Sequence, residues 1–131
     1  MKILRTLSLL VPLLFLWLAL PAQAADDELL GINDIALPFD NPEALELGKQ
    51  RFGEKCGGFC HGSGGKGGRG PCLICNRFKH GGRASDLVRN IGQGIAGTPM
   101  GAFGEVFSRE EIVAVVAYLR VEQKKKLSAE Q

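Results

Sequence analysis

One stretch of the chain reads Cys56-Gly57-Gly58-Phe59-Cys60-His61, two thiols followed at once by an imidazole. Covalent haem attachment needs these groups in this order: each sulfur adds to a vinyl group, and the adjacent histidine reaches the iron from the same side. The usual spacing leaves two residues between the thiols, whereas here three stand between Cys56 and Cys60. Gly57 and Gly58 lack a Cβ and can take backbone angles closed to other residues, so they are expected to loop out the inserted residue between two fixed attachment points. The glycine-rich run Gly62 to Gly70 comes next. Its segment Gly62-Ser63-Gly64-Gly65-Lys66-Gly67 matches a dinucleotide fingerprint only formally, because no strand precedes it and no helix follows; it reads as a loop.

If His61 binds iron, the opposite position is either open or filled by a nitrogen or sulfur donor. Beyond the first 24 residues Met100 is the only methionine, and His80 is the only histidine besides His61. Met100 sits in the turn Pro99-Met100-Gly101, an unusual place for apolar filler, and a soft thioether suits haem iron. His80, next to Lys79, reads better as a solvent-exposed loop residue. With a histidine and a methionine as axial ligands neither oxygen nor a substrate binds easily, so the product is an electron carrier rather than an enzyme. The second thiol pair, Cys72-Leu73-Ile74-Cys75, most simply closes a short disulfide in an oxidising compartment. A rival arrangement joins Cys56, Cys60, Cys72 and Cys75 in a zinc site, or staples the chain into a haem-free binding module with disulfides. That alternative leaves the histidine directly after Cys60 unexplained.

These residues must be carried by a small domain. Residues 1-24 read as a cleaved export signal: Lys2 and Arg5 precede an apolar run from Leu7 to Leu20, then Ala22-Gln23-Ala24. The run is shorter than the ~20 residues that span a bilayer comfortably, so a periplasmic protein without a stable membrane anchor is expected. Of the 131 residues, 107 remain after the signal, enough for one domain with a modest apolar core that a buried haem would enlarge. Charge is unevenly spread. Residues 25-48 hold seven acids and no Lys or Arg, while Lys49 to Arg89 hold nine bases against only Glu54 and Asp86. The basic middle suits docking to an acidic protein partner. Nucleic acid is excluded as a partner by the export signal and by the lack of interleaved basic and aromatic residues.

Residues 25-40 show no period and read as an extended lead-in, ahead of a domain over 41-126 and a tail over 127-131. Asp40 or Asn41 offers an N-cap, Pro42 a first helical residue, and Glu43 and Glu46 favourable charge near the positive end of the dipole, which predicts a helix from Pro42 to Lys55. Leu45, Gly48 and Phe52 share one face of it. A short helix is expected from Ser85 to Ile91, and another after the capping box Ser108–Glu111, running to about Gln123 and closed by Lys124, Lys125 and Lys126. Strand signals are absent. The fold class is therefore all-α, three to four helices with long loops wrapped around one cofactor.

At this point the residues resemble the small class I c-type cytochromes. The resemblance rests on Gly48 and Phe52, Cys60-His61-Gly62, Gly70-Pro71, Thr98-Pro99-Met100 and Tyr118, which span nearly all of the chain after the signal. It implies one covalently attached haem c, first and last helices that cross at Gly48, Phe52 and Tyr118, Met100 as distal ligand, and Pro71 accepting a hydrogen bond from His61. Cys60 and His61 alone could also hold a singly attached haem. More narrowly, Gly70-Pro71-Cys72-Leu73-x-Cys75-x-x-Phe78-Lys79-x-Gly81-Gly82 is similar to cytochromes that accept electrons from PQQ-dependent alcohol and methanol dehydrogenases. That similarity implies such a dehydrogenase as donor and a terminal oxidase or another cytochrome as acceptor; a monomer is expected.

Overall fold

A computed structural model describes residues 33–130; the expected signal at 1-24 and the lead-in before Asn33 lie outside the described residues. Three α-helices carry the domain, α1 (Pro42–Phe52), α2 (Ala84–Gln93) and α3 (Arg109–Ala129), and no strand forms among the described residues. Nor is any helix among them long and apolar enough to cross a membrane.

Local chemistry sets the helix starts. Asn41 is the cap of α1: its side-chain oxygen accepts from Glu43 N at 3.0 Å and Ala44 N at 3.1 Å, and Pro42 needs no partner in the first turn. Ser108 and Glu111 close a reciprocal box at α3, with Ser108 N donating to Glu111 Oε2 at 2.8 Å and Glu111 N to Ser108 Oγ at 3.2 Å. At α2 the cap is reversed, since Asp86 in the first turn reaches back to accept from Arg83 N at 3.2 Å. Helix α3 runs past the expected stop near Gln123 to Ala129. The three lysines are part of the helix, because no glycine or proline follows them to break it.

The crossing of α1 with α3 organises the core. A Cβ on Gly48 would lie 2.1 Å from the carbonyl oxygen of Ala114, so only glycine lets the two backbones come this close. Next to the crossing, Phe52 is fully buried and its ring centroid is 5.8 Å from that of Tyr118. Helix α2 adds Leu87, Val88 and Ile91, and α3 is buried on most sides through Ile112, Ala114, Val115, Val116, Ala117 and Leu119. Arg51 Nε bonds Glu111 Oε1 at 2.7 Å, tying the end of α1 to the start of α3. The described part of the lead-in is anchored too: Ser85 N donates to Asp34 Oδ1 at 2.9 Å, and Ile35 and Leu37 pack on the core. The Ser85 hydrogen bonds hold the Asp34 carboxyl below its ordinary pKa.

Candidate haem site

Directly after α1 the helix changes pitch. Gly53–His61 is a nine-residue π-helix, whose rings close from i to i+5 instead of i to i+4. In an α-helix, residues i, i+3 and i+4 gather on one face. In a π-helix, where each ring holds one residue more, i+4 and i+5 take those places, and Cys60 and His61 stand at those offsets from Cys56. The inserted residue is thus absorbed by the winding. The expected loop at Gly57 and Gly58 is not formed, since neither has a positive φ. Gly57 serves space instead: a Cβ there would meet Phe52 Cε1 at 2.9 Å. Gly62, with φ 70°, ends the segment and turns the chain away.

The three reactive side chains differ in environment. Cys56 is buried and Cys60 exposed, and both are free thiols. Burial pushes the Cys56 thiol up to about 11, with the neighbouring Cys60 adding to the effect. His61 is 8 % exposed, and its Nδ1 lies 3.0 Å from the carbonyl oxygen of Pro71. A carbonyl can only accept, so Nδ1 carries the proton and Nε2 is left as the lone-pair donor. Below the ring the chain is stripped of side chain: a Cβ on Gly70 would come within 2.9 Å of His61 Cε1. The loop is sewn to the Gly53–His61 segment by Gly70 N to Cys60 O and Gly67 N to His61 O, both 2.7 Å.

Met100 lies half-buried at the rim of the apolar core, along with Leu73, Phe78, Phe103 and Tyr118. Its backbone is held without help from its side chain. Ile95 N donates to Met100 O at 2.9 Å, Met100 N to Thr98 Oγ1 at 3.2 Å, and Phe103 N and Gly104 N extend the end of α2 by bonding Ile91 O and Gly92 O. His80 is exposed, and its carbonyl accepts from Asn90 Nδ2 at 2.8 Å. Two free thiols, a buried imidazole with Nε2 available and a thioether at an apolar rim are the donor set a c-type haem requires.

Cys72 and Cys75 are joined as a disulfide. This consumes half of the thiols a four-cysteine zinc site would need, and no group of three or more His, Cys, Asp or Glu among the described residues could hold a metal ion. Two features had weaker signals in the sequence. Phe59 is 72 % exposed, with the Arg69 guanidinium 4.6 Å above its ring. Arg120, buried on α3, donates to Gln123 Oε1 and to Gly82 O, and Gln123 Nε2 reaches Asn76 Oδ1. The network fastens the 76–82 loop to the last helix; its sequence signal is that Arg120 and Gln123 each fall four residues after an apolar core position, Val116 and Leu119.

No curated protein matches the chain. Among solved structures it resembles cytochrome CL from the marine methylotrophic bacterium Methylophaga aminisulfidivorans, with 23% identity, a TM-score of 0.60, and coverage of 83% of this chain and 81% of that one. That likeness carries the fold. A family model described as cytochrome c oxidase, cbb3-type, subunit III matches residues 43–119, from the first turn of α1 to Leu119 on α3. The chain therefore belongs to this cytochrome c family, whose members are electron-transfer proteins with a covalently bound c-type haem.

Proposed function

We propose that the chain is a periplasmic single-haem cytochrome that carries one electron at a time and turns over no substrate of its own. In this reading Cys56 and Cys60 would hold the haem through thioethers, and His61 Nε2 and the Met100 thioether would bind its iron. Bound there, the haem supplies a reversible couple between ferric and ferrous iron. The observation that carries the reading is the π-helical segment, which gives a three-residue thiol spacing the one-turn relation that two residues have in an α-helix, with buried His61 at its end. The Pro71 carbonyl holds the His61 proton on Nδ1 and so leaves the Nε2 lone pair as the one that would bind the iron. With Met100 as the second iron ligand, no position would be left for a substrate, which is the electron carrier's chemistry rather than a catalyst's.

The test is the reduced pyridine haemochrome spectrum of the mature protein. Two saturated vinyl groups are expected, and Cys56→Ser should give the spectrum of one while keeping haem through Cys60 and His61. A native spectrum typical of one saturated vinyl would overturn the two-thioether assignment.

The donor in this proposal is a PQQ-dependent alcohol or methanol dehydrogenase, and the acceptor is a terminal oxidase or another cytochrome. Support comes from the run Gly70 to Gly82 and from the likeness to a methylotroph's cytochrome. The surface adds to it. Lys55, Lys66, Arg69, Arg77, Lys79 and Arg83 are exposed, and none belongs to an ion pair among the described residues. Such a field steers an acidic partner. Reversing Lys79 and Arg83 to Glu should slow electron acceptance about three- to tenfold at low ionic strength and flatten its salt dependence. Unchanged stopped-flow rates at low salt would remove the docking face from the proposal.

A further inference from the structure

We propose that the Cys72–Cys75 disulfide is a positioning device that holds the His61 imidazole through the Pro71 carbonyl. The inference rests on His61 being the proximal iron ligand. One hydrogen bond, 3.0 Å from His61 Nδ1 to Pro71 O, sets both the tautomer and the electron-donating strength of that ring. Pro71 is exposed and has no N–H, so its carbonyl must be placed by its neighbours. On the near side Gly70 does this through its bond to Cys60 O. On the far side the neighbour is Cys72, and the carbonyl of Pro71 shares one planar peptide unit with Cys72 N. Whatever fixes Cys72 therefore fixes the direction of the acceptor.

Cys72 is fixed from two directions. Gly67, with φ 97°, presses its backbone against it so closely that a Cβ there would lie 3.1 Å from Cys72 N. The disulfide then joins Cys72 to Cys75 across a Cα–Cα distance of 5.6 Å. Inside that ring Ile74 is 5 % exposed, and the site of a Cβ on Gly65 would be 3.3 Å from its side chain. Leu73 N and Ile74 N both turn to a single acceptor, Gly65 O, at 2.8 and 3.4 Å. These bonds hold Leu73 and Ile74, whereas the bridge acts on Cys72 itself, the residue whose amide shares the peptide unit of the Pro71 carbonyl. A ring this short constrains the unfolded chain less than a long one would, so global stability is a poor account of why the bridge stands here.

A looser Nδ1 hydrogen bond makes the imidazole a poorer donor, which favours ferrous over ferric iron. In the holoprotein with Cys72→Ser and Cys75→Ser, the reduced-to-oxidised ratio at the native midpoint is expected to move from one-to-one to roughly three-to-one or beyond. The hyperfine-shifted His61 ring resonances of the ferric form should move with it, whereas Ile74→Ala, which weakens the same loop but leaves the bridge, should lower thermal stability with a smaller change in both. Should the double variant fail to accumulate, the native holoprotein can be reduced, capped with iodoacetamide and reoxidised at the iron with ferricyanide. The bridge is half-buried and borders a surface groove with Lys66 and Lys125, within reach of these reagents. An unchanged potential and unchanged ring resonances in haem-bearing protein with the bridge open would overturn this inference alone. Ring resonances showing that His61 is not an iron ligand would overturn it together with the reading beneath it.

Discussion

Met100→Ala should lower the midpoint potential by a substantial part of the roughly 0.8 V range that axial ligands span, and should let the ferrous protein bind carbon monoxide rapidly at neutral pH. The expectation follows from what the substitution leaves alone. The 94–104 loop is held by Ile95 N to Met100 O, by Thr98 Oγ1 to Ile95 O, and by the Phe103 and Gly104 amides on the last carbonyls of α2, none of which uses the thioether. Gly94, with φ 73°, brings that backbone so near that a Cβ would lie 2.8 Å from Met100 O. Removing the side chain therefore takes away a sulfur donor without releasing the loop. The packing cost of a half-buried methionine is about 2 kcal/mol, the low end for core truncations. If Met100 were only filler, its loss would bring that cost and leave the potential and the carbon monoxide reaction as they are. His80→Ala is the matched control: its side chain is exposed, its backbone carbonyl makes the one contact with Asn90, and neither observable is expected to change.

Much of this architecture could be read from local chemistry. Asn41-Pro42 and the Ser108–Glu111 box start α1 and α3 where such residues must, because the hydrogen bonds that define them lie within a few residues of one another. The glycine, phenylalanine and tyrosine of the helix crossing were legible as a resemblance, and in space they are a contact between α1 and α3. The change of pitch at Gly53 was not legible. Propensity scales separate helix from strand and say nothing about an i to i+5 ring, and the one trace in the sequence was a thiol pair with a residue too many. Glycine there suggested freedom of φ, while the structure uses Gly57 as room for the Phe52 ring. The buried Arg120 was missed for a related reason. A long charged side chain on a helix reads as solvent-facing, and only its register with Val116 showed that it points inward, where Gly82 O and Gln123 receive it.

Gly48→Ala offers a test of the helix crossing in which two elementary effects have opposite signs. Propensity alone favours alanine in the interior of α1 by about 1 kcal/mol, because glycine loses more backbone freedom on folding. Contact opposes it: the new Cβ would sit 2.1 Å from Ala114 O, 2.5 Å from Ala114 C and 3.0 Å from Val115 N. All three atoms are backbone of α3, so no side chain can swing aside and the helices must part. Overpacking of a tight interface costs 1–3 kcal/mol when side chains can adjust, so about 3 kcal/mol or more is expected here, a large share of the roughly 5–15 kcal/mol that holds a small domain together. Contact therefore wins over propensity. Gly53→Ala supplies the opposite case on the same stretch of chain. Gly53 has helical angles, φ −60° and ψ −42°, and nothing lies within 4 Å of where its Cβ would stand, so alanine there should stabilise by about 0.5–1 kcal/mol. Denaturant melts of the two holoproteins, followed by far-ultraviolet circular dichroism, should move in opposite directions from the native midpoint. A shift of Gly48→Ala toward higher stability would mean that α1 and α3 do not cross at this glycine, and the position of Phe52 beside both Tyr118 and the thiol-bearing segment would have to be given up with it.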